Sequence, residues 1–220
     1  MYYGVLDPNS PDIPKLRQLL SDDEIDRANR FHFDKNRNEY IFARGSLRVL
    51  LSTYLQIPAK DLRFSYTEHN KPYLANPMSA VISFNVSHTN GLVAFAFSRD
   101  RKIGVDVEAI RENLEVSELA ERFFSEAERQ VLREAPATSR YALFFRCWTR
   151  KEAYIKARGE GLSHPLAQFD VSLDEDTANA LSATRPDPLE VKRWVLRPFA
   201  VPIGFAAAVA VEIDGPPSKP

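Results

Sequence analysis

The chain has 220 residues, a formal net charge of -1 and 44% apolar residues. That length and apolar content can bury the core of one large domain or of two small ones. The near-neutral charge argues against a nucleic-acid-binding protein, because such domains usually carry a strong basic excess. Any anion site on this protein must therefore be local.

The sequence also indicates a compartment. Cys147 is the single cysteine, which excludes an internal disulfide. The N-terminus lacks the basic-then-apolar order of a signal peptide, and no apolar run approaches about 18 residues. We therefore expect a protein of the reducing cytoplasm that has no membrane span.

The first half of the chain predicts helices followed by short strands. An opening strand covers 2–6, and Ser21 to Glu24 form a capping box that starts a helix. A second helix runs from about 36 to 55, with arginines that lie away from its apolar stripe, so a solvated basic face is the simple interpretation. Those arginines are Arg37, Arg44 and Arg48. Strands are predicted at 64–66, 73–74, 81–87 and 92–98.

Turns at 69–72 and 87–91 separate these strands. The second turn contains Ser87, His88 and Thr89 together. Hydroxyls, a ring N–H and free backbone N–H groups suit an anion. An ordinary structural turn explains the same residues, so both interpretations stay open.

The second half begins with a predicted strand at 103–107. Ser125 to Glu128 form a second capping box, and the main helix runs from about 139 to 158. Gly159 and Gly161 supply its left-handed stop. Further strands are predicted at 169–173, 190–196 and 204–213.

The two halves resemble each other, because each has a long helix followed by strands. The segment 91–97, GLVAFAF, is also similar to 204–210, GFAAAVA. Helices and strands without strict alternation favour an α+β fold over a doubly wound α/β fold. We therefore predict two similar α+β lobes related by a pseudo-twofold axis, residues 1–102 and 103–220, with a ligand cleft between them.

Three carboxylates and a lysine are spaced so that they converge. Asp106 and Glu108 lie two apart on one strand and thus on one side of the sheet, while Glu152 and Lys156 lie one helical turn apart. An all-oxygen set suits Mg²⁺ better than zinc. The alternative is an exposed strand end beside a surface ion pair of Glu152 with Lys156. The strand is otherwise built of Ile and Val, and buried carboxylates are costly without a cation, which favours the metal site.

At these residues the chain resembles the 4'-phosphopantetheinyl transferases of the Sfp type. Several motifs in the same order carry the resemblance, which covers nearly the whole chain. They are Asn70-Lys71-Pro72, Phe84 to His88, Gly104 to Glu108, Arg122 to Ser125, Phe144, and Trp148 to Lys156 followed by Gly159, Gly161 and Leu162.

The resemblance implies an enzyme that moves the 4'-phosphopantetheine arm of coenzyme A onto a serine of an apo acyl or peptidyl carrier protein and releases adenosine 3',5'-bisphosphate. The N-terminal lobe would contact the nucleotide, and the C-terminal lobe would hold Mg²⁺, or Mn²⁺, against the pyrophosphate. The implied metal ligands are Asp106, Glu108 and Glu152. The implied coenzyme A contacts are Arg44, Lys71, Pro72, Ser87, His88 and Lys156. The implied catalytic residues are Glu152 as the candidate base, Lys156 and His88.

The resemblance also implies a monomer. We predict that the carrier docks near 110–124, although an ordinary flexible loop over a core Phe pair explains that segment equally well. Two other functions remain open: a catalytically silent module that binds coenzyme A or a nucleotide, and a metal-dependent phosphoesterase with water as the nucleophile.

Overall fold

The computed structural model describes residues 1–68, 71–75, 82–159, 164–175 and 177–213, and the protein is an α+β fold of two similar lobes. The elements of the first lobe are β1 (Tyr2–Val5), α1 (Ile13–Arg17), α2 (Asp22–Asn29), α3 (Asp34–Leu55), β2 (Phe64–Tyr66), β3 (Pro72–Leu74), β4 (Ile82–Thr89) and β5 (Leu92–Arg99). Those of the second lobe are β6 (Ile103–Ala109), α4 (Val116–Phe123), α5 (Glu126–Glu134), α6 (Ala137–Arg158), β7 (Phe169–Val171), β8 (Leu181–Thr184), β9 (Trp194–Pro198) and β10 (Phe205–Glu212). Gly161 and Leu162 of the predicted motif lie outside the described residues.

Both lobes follow one plan. A first strand is followed by a long helix, a two-stranded ladder and a final antiparallel hairpin. The sheet orders are β1-β5-β4 and β6-β10-β9, so the last strand is central in each sheet. Gly91 and Gly204 precede those central strands with φ of 80° and 90°, which is the left-handed region that favours glycine. The predicted two-lobed α+β fold is confirmed, while the division at 102/103 stays a prediction.

A buried ion pair fixes the long helix of the first lobe. Arg48 and Glu24, which are 0% and 1% exposed, form an ion pair of 2.7 Å, and Glu24 also closes the capping box of α2. Arg48 donates further bonds to the carbonyls of Ala59 and Leu62, at 2.8 and 3.0 Å. Since each buried charge has partners, the pair ties α3 to the helix before it and to the turn after it.

The second lobe repeats this arrangement. Lys151 and Glu128 are 0% and 2% exposed and pair at 2.8 Å, and Glu128 closes the capping box of α5. Lys151 donates to the carbonyls of Leu166 and Phe169, at 2.8 and 2.7 Å. Counted from the first helical residue, Arg48 of α3 and Lys151 of α6 both stand at position 15 (48 − 34 + 1 and 151 − 137 + 1). The two helices are therefore held by equivalent pairs.

Alternate residues of the strands face different parts of the core. Val93 and Phe95 of β5 pack under α3, and Ala208 and Ala210 of β10 pack under α6. The intervening residues form a third cluster between the two sheets. Its main members are Leu92, Ala94, Ala96, Ile103, Val105, Val107, Ala207 and Val209. The lobes are thus joined by an apolar seam along which β4, β5, β6 and β10 lie.

Some predicted elements were wrong. The turn predicted at 87–91 is only at Asn90 and Gly91, because β4 continues through His88 and Thr89. The segment 110–124, which could also have been a flexible loop, contains helix α4, which buries Val116. The first part of the strand predicted at 190–196 belongs to a 3₁₀ helix, Pro188–Arg193, and its last three residues lie in β9. The solvated basic face on α3 is also wrong for its buried members, since Arg44 and Arg48 pair with Glu24.

Candidate functional site

Side chains of β4 join the two sheets at the site. Asn85 Oδ1 accepts the N–H of Val105 at 2.8 Å, and Thr89 Oγ1 accepts that of Ala109 at 3.2 Å. Between them, Ser87 Oγ accepts the N–H of residue 107 at 3.4 Å. Every pair is 20 residues apart, so the two strands run in the same direction. The acceptors share one face of β4, because alternate residues of a strand point the same way.

Ser87 fixes one side of Asp106. Its hydroxyl donates to Asp106 Oδ1 at 2.8 Å and accepts from Lys156 Nζ at 3.1 Å. Lys156 Nζ also contacts Asp106 Oδ1 at 2.5 Å. Residues from β4, β6 and α6 therefore meet at one carboxylate oxygen that is buried in the cleft.

The other oxygen of Asp106 is different. Oδ2 is buried and has no hydrogen-bond partner in the part of the chain that the structure describes. Asp106 as a whole is 3% exposed. An unpartnered carboxylate oxygen is costly when buried, so this atom marks a place for a cation or a donor.

Two further carboxylates interact with Asp106. Burial raises the pKa of Glu152 to about 7, against the lowering effect of Lys156, and Asp106 and Glu108 add to the rise. Burial and Asp106 likewise raise the pKa of Glu108, against Arg111 and Thr89. A carboxyl with a pKa near 7 can take up or release a proton at neutral pH. The three carboxylates and Lys156 thus influence one another electrostatically, and their predicted role as a metal site stays a prediction.

Glycine at 104 sets the distance between β6 and α6. A Cβ atom there would collide with the Ala153 carbonyl oxygen and the Ala157 nitrogen, and would lie 2.9 Å from the Ala157 Cα. The strand and the helix therefore pack backbone against backbone. Glu152 and Lys156 precede these two contact points by one residue each, so the close approach holds this part of α6 against β6 and brings the Lys156 ammonium group to Asp106.

Lys71 crosses from one lobe to the other. Its ammonium group donates to the carbonyl oxygens of Lys156, at 2.7 Å, and Ile103, at 3.3 Å. Burial lowers the pKa of Lys71 to about 8, helped by Lys102 and Lys156. Lys71 thus ties the loop before β3 to the last turn of α6. Its predicted contact with coenzyme A stays a prediction, as does that of Pro72, the first residue of β3.

His88 and Arg44 lie at the N-terminal side of the cleft. His88 is exposed and, as a strand neighbour of Ser87, faces the other side of β4. Partial burial and Lys156 lower the pKa of His88, while Glu39 raises it. Arg44 is 8% exposed, with its guanidinium carbon 4.0 Å from the Phe64 ring centroid.

The Arg44 guanidinium already has protein partners. Its Nε pairs with Glu24, and its Nη2 donates to the Tyr66 hydroxyl at 2.9 Å. The predicted role of Arg44 at the 3'-phosphate stays a prediction. The sequence did not predict that Glu24 pairs with Arg44, because nothing in the spacing connects Glu24 with an arginine 20 residues later.

The carboxylates suit a magnesium ion by their chemistry. They offer hard oxygen ligands, and the buried Asp106 Oδ2 has no partner among the described residues. Within those residues, however, no group of three or more His, Cys, Asp or Glu side chains is arranged to hold a metal ion. Two of the oxygens have other partners: Lys156 at Asp106 Oδ1, and Thr89 and Arg111 at Glu108 Oε2. The donor set fits the ion, but it is not gathered into a closed cage.

Among the described residues, no helix is long and apolar enough to cross a membrane.

Comparison with known proteins places this chain in a family. The model of the 4'-phosphopantetheinyl transferase superfamily matches residues 102–210, and an N-terminal 4'-phosphopantetheinyl transferase model matches residues 6–100. The 4'-phosphopantetheinyl transferase HetI of Nostoc sp. (strain PCC 7120) is 35% identical over 208 residues, which cover 94% of this chain and 84% of that protein. The 4'-phosphopantetheinyl transferase Sfp of Bacillus subtilis (strain 168) is 30% identical over 84% of this chain and 80% of its own length.

A solved structure overlaps with part of the protein. The holo-[acyl-carrier-protein] synthase of Thermotoga maritima covers 50% of this chain and 62% of its own, with 22% identity and a TM-score of 0.40. The sequence matches, by contrast, extend over both lobes and include the strand with Asp106 and the helix with Glu152. The chain therefore belongs to the 4'-phosphopantetheinyl transferase superfamily and is of the Sfp-like type.

Proposed function

We propose that this protein transfers the 4'-phosphopantetheine group of coenzyme A to a serine of an apo acyl or peptidyl carrier protein and releases adenosine 3',5'-bisphosphate. The observation that carries the proposal is the Asp106 carboxylate. It is buried at the seam of the lobes, with Lys156 and Ser87 on one oxygen and a buried, unpartnered second oxygen among the described residues. A polar centre of this kind, in a member of this family, suits a pyrophosphate and its cation.

In the proposed reaction the serine oxygen of the carrier attacks the β-phosphorus of coenzyme A. The bond from that phosphorus to the oxygen bridging to the α-phosphate breaks, and the electron pair leaves with adenosine 3',5'-bisphosphate. Glu152 accepts the serine proton, either directly or through water, as a base must lie within hydrogen-bond reach. Lys156 and His88 stabilise the charge on the leaving phosphate.

Asp106, Glu108 and Glu152 would hold Mg²⁺, or Mn²⁺. The ion would supply electrophilic stabilisation of the pyrophosphate charge. The same residues keep their own tasks: Asp106 orients Lys156, and Ser87 orients Asp106. Arg44, Lys71, Pro72, Ser87, His88 and Lys156 are the proposed contacts of coenzyme A.

The carrier is proposed to dock at 110–124. This segment includes α4, and its Phe123 ring packs edge-on against Trp148, with centroids 5.7 Å apart. Trp148 lies one helical turn before Glu152, so a carrier bound at α4 would bring its serine to the same end of the cleft. If Phe123→Ala left the KM for the carrier unchanged in a stably folded protein, this docking site would be wrong.

Incubation with coenzyme A, Mg²⁺ and a panel of apo carriers, followed by intact-mass measurement, tests the activity. We expect the carrier to gain one phosphopantetheine group, and neither the Glu152→Gln enzyme nor a carrier without its serine should give this product. No added mass on any carrier would contradict the transferase. Release of adenosine 3',5'-bisphosphate without a carrier would instead favour the phosphoesterase.

We further propose that the enzyme is a cytoplasmic monomer. Cys147 is buried, and burial raises the pKa of its thiol, so it is poorly suited to an intermolecular disulfide. Light scattering of the purified protein checks the monomer, and a dimer mass at micromolar concentration would contradict it.

A further inference from the structure

The hydroxyls of Ser87 and Thr89 make the same pair of contacts two residues apart. Ser87 accepts a backbone N–H of β6 and donates to Asp106 Oδ1. Thr89 accepts the N–H of Ala109 and donates to Glu108 Oε2 at 3.3 Å. In both cases one hydroxyl serves a carboxylate and the amide that follows it in the chain, which uses its donor and an acceptor position together.

Glu108 has a second partner at the oxygen that this hydroxyl contacts. Arg111, three residues later in the chain, places its Nη2 3.5 Å from the same Oε2 atom. Arg111 is about half exposed, so its ion pair with Glu108 is weak and adjustable. Without the Thr89 hydroxyl, Glu108 would keep Arg111 as its partner and could turn with it towards solvent.

We propose that Thr89 is a positioning residue, whose hydroxyl holds Glu108 at the seam on the side of β6 that carries Asp106. The inference rests on the proposed metal site, because the effect expected of Thr89 is on the affinity of Glu108 for a divalent cation. Thr89 does not touch the reacting atoms. It acts through the orientation of one carboxylate, as hydrogen-bonding partners of metal ligands commonly do.

The test measures metal binding as well as turnover. Free Mn²⁺ is titrated by electron paramagnetic resonance in the presence of saturating coenzyme A, for the wild-type, Thr89→Val and Thr89→Ser proteins. Loss of such a partner weakens metal affinity by about 10-fold to 100-fold, so the Kd for Mn²⁺ should rise by at least about 10-fold in Thr89→Val. The serine variant keeps the hydroxyl and should restore the affinity. In turnover, the metal concentration for half-maximal rate should rise, whereas kcat at saturating metal should change little.

Asn85 provides a matched control in the same row of side chains. It accepts a backbone N–H of β6 as Thr89 does, but it contacts no carboxylate of the site. Asn85→Leu should lower the melting temperature and leave the Kd for Mn²⁺ as in the wild type. In Thr89→Val, Arg111 is the remaining partner of Glu108. The double variant Thr89→Val with Arg111→Ala removes this partner and should recover part of the lost affinity for Mn²⁺.

The outcomes separate the inference from the proposed function. Equal Mn²⁺ affinity of the wild-type and Thr89→Val proteins would overturn the positioning role while the metal site stands. Equal weakening in Thr89→Val and Asn85→Leu would also overturn it, since the effect would then be that of a loosened seam. If the wild-type protein bound no Mn²⁺ with coenzyme A present, the metal site itself would be refuted.

Discussion

Substitution of Gly104 by alanine tests whether the close approach of β6 and α6 builds the site. The added Cβ would collide with the Ala153 carbonyl oxygen and the Ala157 nitrogen, both of which belong to the rigid backbone of α6. Ordinary contacts of a Cβ atom begin at 3.4 Å, so the helix or the strand must retreat by about 1 Å. Overpacking of this kind costs about 1 to 3 kcal/mol, and a backbone clash belongs at the upper end.

The same displacement should weaken catalysis. Glu152 and Lys156 adjoin the two contact points on α6, and Asp106 follows Gly104 by two residues on β6. A shift of about 1 Å between reacting groups lowers rates by roughly 100-fold. We therefore expect Gly104→Ala to lose about 3 kcal/mol of unfolding free energy and about 100-fold in kcat/KM.

Denaturant unfolding and the carrier-loading assay measure these two effects. Gly4→Ala is the matched control on β1, the first strand of the other lobe, because a Cβ there would lie 3.4 Å from the Phe42 ring and 3.6 Å from Val93, which are ordinary contact distances to side chains. This control should keep its stability within about 1 kcal/mol and keep its activity. If Gly104→Ala resembled Gly4→Ala in both measurements, the backbone contact would not determine the geometry of the site.

Three other substitutions test single contacts. Lys71→Met should lose stability relative to the wild type as the pH rises from 8 to 10.5, by at most about 3 kcal/mol. The pKa of Lys71 is about 8 in the folded protein and 10.5 in the unfolded chain, so only the unfolded wild-type chain keeps the proton in that range, and the wild type gains stability there. A difference in unfolding free energy between the two proteins that is constant with pH would contradict this. Lys151→Met should cost about 3 kcal/mol in chemical denaturation, because Glu128 loses its buried partner. Lys151→Met with Glu128→Gln should recover part of this loss, because the amide removes the unpaired charge and keeps an oxygen that accepts a backbone N–H, so a double variant no better than the single one would refute the ion pair as the cause. Ser87→Ala should lower kcat/KM by about 10-fold through the lost bond to Asp106, and an unchanged rate in the carrier-loading assay would show that this hydroxyl positions nothing.

Local signals in the sequence predicted the elements that local contacts stabilise. Both capping boxes start helices where expected, since the bonds that define them connect residues three apart. Gly159 ends α6 in the left-handed conformation, with φ of 80°. By contrast, α4 has no side-chain cap at Glu115, and its buried Val116 and Ala120 contribute to the core around α6. Tertiary packing thus stabilises a helix that its local sequence does not predict.

The positions of the carboxylates on β6 and α6 were predictable from the sequence, but the contacts that hold them were not. Spacing alone places Asp106 beside Glu108 on a strand. The hydroxyl of Thr89, however, reaches Glu108 only because β4 and β6 dock in parallel with an offset of 20 residues. Arg48 likewise looked solvated, since its partner Glu24 belongs to another helix. Such pairs depend on how the lobes pack, and no periodicity within one element reports that.

The shared plan of the lobes also explains why the polar centre around Asp106 is asymmetric, with its helical residues supplied by α6. Counted from their first residues, Val49 and Thr53 occupy positions 16 and 20 of α3 (49 − 34 + 1 and 53 − 34 + 1), where α6 has Glu152 and Lys156. Val49 is 44% exposed, and the Thr53 hydroxyl donates to the carbonyl of its own helix at Val49.

By the common plan, the counterpart of the contact between β4 and β6 would lie between β9 and β1. Near that position the Tyr3 ring of β1 packs edge-on against Phe199, which follows β9, with ring centroids 6.2 Å apart. The ion pairs that hold both long helices are kept in the two lobes, whereas an acidic and a basic residue occupy positions 16 and 20 on α6 and not on α3. The scaffold therefore supplies two equivalent helices, and the replacement of two side chains on one of them, opposite Asp106, makes a single asymmetric site.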